Sequence, residues 1–220
     1  MTVQPIKTKI PKAKVLAKEI KLKCGELPKG KFTPDKKIEI KLIDEDGTIY
    51  TAKVSPKSYR QAESEVAAFE IWVLVVSGKL QIAEQGCNIL EAGIKVFEWK
   101  ENVPEEIKQT KTKVAQAKVV KREISIKFST EFPRAIPMPN KQVKVELIDD
   151  DEITYIASIK RKYWHTAETD AAELEHWMAL VGGKLSITEQ GYNILEPTIK
   201  IFEEKVKVTT YSHLAPIHRD

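Results

Sequence analysis

Two cysteines and three methionines in 220 residues, and no apolar run near the length of a membrane helix, set the first limits on this chain. Crossing a bilayer as a helix takes roughly 18 or more apolar residues, so no helical span is expected. The N-terminus, MTVQPIKTKIPKAK, carries no apolar segment behind its charges, and no secretory signal is visible. A soluble, intracellular chain is expected, with a cytoplasmic location. Cys24 and Cys87 correspond to Phe128 and Tyr192 in the internal repeat described below, so both read as small buried hydrophobes, neither disulfide-bonded nor metal-bound. Also missing are a phosphate-cradling glycine loop, a metal-ligand spacing, and a Ser or Cys nucleophile with a recurring base. His165 and His176 stand where the other copy has Arg60 and Ile71. These absences predict a protein that is not an enzyme and holds no cofactor or metal.

What is present, above all, is repetition. GKLQIAEQGCNILEAGIKVFE at Gly78 to Glu98 returns as GKLSITEQGYNILEPTIKIFE at Gly183 to Glu203, with 15 of 21 residues identical. The same offset of 105 pairs Ile38 to Asp44 with Val143 to Asp149, Tyr50 with Tyr155, Trp72 with Trp177, and Leu27-Pro28 with Phe132-Pro133. Upstream the offset becomes 104, matching Glu19 to Cys24 with Glu123 to Phe128. The expected organisation is a flexible basic lead (1–13), a first unit (14–99), a polar linker (100–116), a second unit (117–204) and a C-terminal tail (205–220).

Charge is distributed unevenly. Residues 1–41 hold 12 lysines against Glu19, Glu26, Asp35 and Glu39, a local +8 (12 − 4), on a chain whose formal net charge is +4. Such a segment suits either a polyanionic partner or a solvated lysine-rich face. Acidic residues gather instead at Asp44-Glu45-Asp46 and Asp149 to Glu152, which lack the ligand spacing of a calcium loop and read as solvated turns.

Periodicity supplies the elements. Ile20, Leu22 and Cys24 alternate with Lys21 and Lys23, predicting a half-buried strand over 14–24. Lys37–Ile43 and Thr48–Val54 predict a hairpin with Ile38, Ile40, Leu42, Tyr50, Ala52 and Val54 inward, repeated by Val143, Val145, Leu147, Tyr155, Ala157 and Ile159. Apolar residues at 62, 66, 69, 73 and 76, and at 167, 171, 174, 178 and 181, predict a helix in each unit, started near Ser55-Pro56 or Thr166 and ended by Gly78 or Gly183. Short strands follow, with a break marked by Pro197. The fold class expected is α+β: two tandem copies of a small antiparallel sheet packed on one helix, forming a pseudo-dimer.

In the terminal strands Ile94 and Val96 take one face while Lys95, Phe97 and Trp99 take the other, and unit two repeats this with Ile199 and Ile201 against Lys200 and Phe202. Two readings stay open. The rings are either platforms on which bases stack beside phosphate-neutralising lysines, or filling for a seam between the units. Strand alternation places Lys21, Lys23, Lys41, Lys53, Lys127, Lys144 and Lys160 outward as well, so the candidate binding residues are these seven with Lys95, Phe97, Lys200 and Phe202.

Glu26-Leu27-Pro28, Trp72 to Lys79 and Gly86 to Glu98, each with its counterpart in unit two, resemble the small bacterial proteins of the fertility-inhibition, FinO-like group. That resemblance implies RNA binding or strand annealing. FinO chaperones are mainly helical, whereas the periodicity here is that of strands, and the outline of a strand-rich unit closed by one helix is also similar to single-strand-binding transcription coactivator and Whirly folds. The function expected is single-stranded nucleic-acid binding, RNA foremost. The alternative is a structural adaptor that holds a protein partner in a larger assembly.

Overall fold

The computed structural model describes residues 13–83, 86–99, 110–129, 131–188 and 191–204. The readings made for residues 1–12, for 100–109 of the linker and for the tail from 205 lie outside them. In chain order the first half contains β1 (Ala13–Cys24), β2 (Glu26–Pro28), β3 (Lys31–Phe32), β4 (Ile38–Ile43), β5 (Ile49–Val54), α1 (Pro56–Ala68), β6 (Trp72–Ala83) and β7 (Gly86–Glu98). The second contains β8 (Thr110–Val114), β9 (Ala117–Phe128), β10 (Ile136–Pro137), β11 (Gln142–Ile148), β12 (Thr154–Lys160), α2 (Arg161–Ala172), β13 (Trp177–Thr188) and β14 (Gly191–Glu203). Part of the expected linker is therefore β8, which pairs in parallel with β2.

The hairpin read from alternation is observed. In β4–β5, Ile40 lies opposite Ala52 and Leu42 opposite Tyr50, and all six expected inward residues are buried. Its turn is held by the Asp44 carboxylate, which accepts from the amides of Asp46 and Thr48 at 3.0 and 2.9 Å. Gly47 takes φ 78°, and at the corresponding place in the other turn Glu152 takes φ 61°. Asp149 makes the same two bonds there, to Asp151 and Ile153, so the local side-chain bonds hold the second turn without a glycine.

The pairings close two rings. β1 pairs with β6, β6 with β7, β7 in parallel with β5, β5 with β4, and β4 with β9, which returns to β1. On the other side β9 pairs with β13, β13 with β14, β14 in parallel with β12, β12 with β11, and β11 with the start of β1. One twelve-stranded sheet thus curls into two barrels that share the antiparallel β1–β9 pair. Leaving aside the short β2 and β3, the order β1, β4, β5, helix, β6, β7, with β7 parallel to β5, is OB-like. The core is the barrel interior, filled by Leu22, Ile40, Leu42, Tyr50, Trp72 and Leu74 in the first half and by Ile126, Phe128, Val145, Leu147 and Tyr155 in the second.

This overturns the α+β expectation of two separate small sheets, each packed on one helix. The chain is mostly strand, and each half completes its barrel with a long strand of the other, β9 for the first barrel and β1 for the second. The helices are also shorter than expected, because Trp72 to Val76 is a run of large and β-branched residues buried on both faces, which suits a strand. Ser55 does cap α1, accepting from the Ser58 amide at 3.0 Å, but Thr166 lies inside α2. Gly78 and Gly183 end no helix. They sit inside β6 and β13 where the facing strand crosses closely: a Cβ at Gly78 would lie 2.5 Å from the Leu90 carbonyl oxygen, and one at Gly183 2.6 Å from that of Leu195. Next to these crossings Glu91 (φ 52°) and Glu196 (φ 49°) bend β7 and β14, so the separate extended pieces expected there are single kinked strands.

Candidate nucleic-acid interface

β7, β6, β1, β9, β13 and β14 run side by side, and their outward residues form one face across both barrels. Strand register fixes its rows. Lys95 lies opposite Val75, Val75 opposite Lys23, and Lys23 opposite Lys121. On the other side Lys200 lies opposite Leu180 and Leu180 opposite Lys127. At the strand ends Phe97 faces Val73 and Phe202 faces Met178. Of the eleven candidate residues, Lys21, Lys23, Lys95, Phe97, Lys127, Lys200 and Phe202 therefore share this face.

Phe97 and Phe202 are 51% and 44% exposed, which removes the seam reading. The junction between the halves is made instead by β1 and β9, where Ile20 packs opposite Ile124 inside the barrels. In the first half the face is hollowed into a groove of about 440 Å³ lined by Lys21, Lys23, Lys95, Phe97 and Trp99, with the buried Val73 and Val75 as its floor. A second groove of about 480 Å³ shares Lys23 and Trp99 and extends over Lys121 and Arg122 to Lys184. Trp99 stands between the two, and its indole N–H has no hydrogen-bond partner among the described residues.

Some of the lysines are held by acids on the same face. Lys23 and Lys121 meet Glu123 at 3.3 and 2.8 Å, and Lys127 meets Glu19 at 3.1 Å. Partial burial alone would raise the Glu123 pKa, but the bond from Lys121 and the charge of Lys23 outweigh it and hold the carboxyl below its ordinary value. Lys79 and Lys184 pair with the kink residues Glu91 and Glu196 at 2.8 and 3.1 Å.

The other four candidates lie elsewhere. Lys41 and Lys53 project from β4 and β5, and Lys144 and Lys160 from β11 and β12, the strands of each barrel that are not part of the β7-to-β14 face. Lys53 is paired with Asp35 at 3.3 Å, Lys144 with Glu146 at 3.0 Å, and Lys160 lies over the Tyr163 ring at 5.9 Å. A single basic surface holding all seven strand lysines is not formed, because closing a sheet into a barrel points its outward residues in every direction. Lys121 and Lys184 were not foreseen as members of the face, although Lys121-Glu123-Ser125-Lys127 alternates as Lys21 and Lys23 do.

No family model matches the sequence, and no curated protein matches it. Among solved structures, the wild-type single-stranded DNA binding protein from Thermus aquaticus aligns at 11% identity and a TM-score of 0.32, covering 94% of this chain and 98% of that one. A deletion and substitution variant of that protein aligns at 13% identity and a TM-score of 0.29, covering 88% and 98%. At such scores nothing about a ligand follows. Among the described residues no helix is long and apolar enough to cross a membrane.

Proposed function

We propose that this chain is a non-enzymatic binder of single-stranded nucleic acid, RNA foremost, and that the strand lies across the β7-β6-β1-β9-β13-β14 face. The observation that carries this reading is Phe97: a half-exposed ring beside Trp99, on a groove whose other walls are Lys21, Lys23 and Lys95. Phosphates lie against the ammonium groups, and unpaired bases lie on the rings, each stacked base contributing about 1–3 kcal/mol. The lysine–glutamate pairs on the face are partly exposed and weak, so phosphate displaces them readily.

Titration of a labelled oligouridylate and the matching oligothymidylate of about 16 nucleotides, the upper site size of one such barrel, tests the reading. Log K falls linearly with log salt, by roughly 0.7 per phosphate contact, and the oligouridylate binds the more tightly. No binding of either strand at low salt overturns the proposal and leaves the protein-holding adaptor role as the surviving one.

A further inference from the structure

The halves differ where the helix meets the loop ahead of the hairpin. In the first, Tyr59 on α1 ties that loop down: its hydroxyl donates to the Pro28 carbonyl at 2.8 Å and accepts from the Gly30 amide at 2.9 Å. Its ring packs so closely that a Cβ on Gly30 would sit 3.0 Å from it. In the second half the corresponding residues are Trp164 and Ala135. Trp164 donates instead to Glu168 of its own helix at 2.8 Å, and the loop touches it through Phe132, packed edge-on against the indole at 5.1 Å, with no hydrogen bond from Trp164 to the loop among the described residues. A cavity of about 920 Å³ remains.

Its chemistry is uneven. Its apolar lining is the buried Val143 and Trp164 with Ala135 and Pro137, and the exposed Lys141, Lys160, Arg161 and Lys162 line the rest with Asn140, Gln142, His165 and Glu168. Glu168 is the single acid in the lining, and it is engaged by Trp164 and by His165 at 3.6 Å. Lys141, Arg161 and Lys162 have no acidic partner among the described residues. Four permanent cations beside an apolar lining, in a hollow of nucleotide size, match a phosphate group carried on a base and sugar.

We propose that this cavity binds a phosphorylated nucleotide, either free or as the phosphorylated end of a strand. The site lies on the β11–β12 wall of the second barrel, apart from the β7-to-β14 face, and does not depend on it. The test uses the full chain, a uridine mononucleotide 5′-phosphate, and short oligouridylates with and without a 5′-phosphate, against wild type, Lys141→Gln/Arg161→Gln and Phe97→Ala. Both substituted cations are exposed, so the double variant folds, and its melting curve verifies this. Supporting results are mononucleotide binding, or a preference of about tenfold for the phosphorylated end, that is lost in the double variant and kept in Phe97→Ala. Mononucleotide binding alone assigns a free nucleotide, and an end preference alone assigns a strand terminus. Absence of both, or persistence of either in the double variant, overturns the site while leaving the face-binding reading to its own titration.

Discussion

Arg122, on β9 of the second half, forms an ion pair with Asp44 in the hairpin turn of the first. Lys18 makes the reciprocal contact, reaching Asp149 in the second hairpin at 2.5 Å. Both carboxylates are almost fully buried, and each also holds its own turn by two backbone bonds. Each barrel is therefore locked to the strand the other half lends it, at the point where β4 meets β9 and β11 meets β1.

Removing one partner of such a pair leaves a buried charge without compensation, at a cost of roughly 3–5 kcal/mol. Arg122→Ala is expected at the lower end, because Asp44 keeps its amide donors. Urea unfolding measures this, and the double variant Asp44→Asn/Arg122→Met is expected to recover part of the loss, since no charge is then left buried. Equal destabilisation by the single and double variants would show that packing of the arginine stem, not charge pairing, holds the junction.

That junction is where reading the sequence stopped short. The β4–β5 hairpin was legible because Ile38, Ile40, Leu42, Tyr50, Ala52 and Val54 alternate and one face is buried, and the Lys95/Phe97 face was legible for the same reason. The helix end was not. Positions 62 and 66 are the buried face of α1, whereas 73 and 76 continue the helical spacing by coincidence inside β6, and only the β-branched density of Val73, Val75 and Val76 hints that the chain has turned to strand. Barrel closure was invisible, since a parallel contact such as Ala13 with Leu147 depends on residues far apart in sequence and leaves no local periodicity. That closure separates Lys41, Lys53, Lys144 and Lys160 from the other candidates.

The two thiols provide a test of burial. Burial, and then the charge of Asp44, push Cys87 up to about 11, and burial raises Cys24 further. A raised pKa leaves little thiolate at pH 8, and thiolate is the reactive form. Neither thiol is expected to react quickly with a disulfide reagent in the folded protein, and both react at once in denaturant. Fast modification of the native chain at pH 8 would show that the barrel wall around Cys87 opens.

Glu123 holds Lys23 and Lys121 on the proposed binding face. Its carboxyl pKa is depressed in the fold, so the pairing contributes stability above the unfolded carboxylate pKa and loses it as pH falls through the lower folded value. Glu123→Gln removes a negative charge from the path of the phosphates and frees two ammonium groups. The expected result is tighter oligonucleotide binding, a steeper salt slope and slightly lower stability in acid-independent conditions such as pH 7. Unchanged affinity would place the strand off the β1–β9 rows.

The lysines divide into two predicted classes. Lys23→Gln, Lys95→Gln, Lys127→Gln and Lys200→Gln each reduce the salt slope, by up to roughly 0.7 where one phosphate contact is lost. Lys41→Gln, Lys53→Gln and Lys144→Gln, on the outer walls, leave it unchanged. If the outer-wall substitutions lower the slope instead, the strand runs over β4–β5 and β11–β12.

The rings decide between the two halves. Where the first half carries Lys21, Lys23 and Trp99 around Phe97, the second carries Ser125, Lys127 and Glu204 around Phe202, so its patch is poorer by one cation and one ring and has an extra acid. Both phenylalanines are about half exposed, and their truncation is expected to cost far less stability than the roughly 3–5 kcal/mol of a buried ring. Phe97→Ala therefore keeps the wild-type melting temperature within a few degrees while weakening oligonucleotide binding by about 1–3 kcal/mol for a lost base stack, with the salt slope unchanged. Phe202→Ala shows the same pattern with a smaller loss. Melting curves and salt-resolved titrations of the two variants check both halves of the claim: equal losses would mean that Trp99 takes no part, and wild-type affinity in a well-folded Phe97→Ala would remove stacking from the proposed mode of binding.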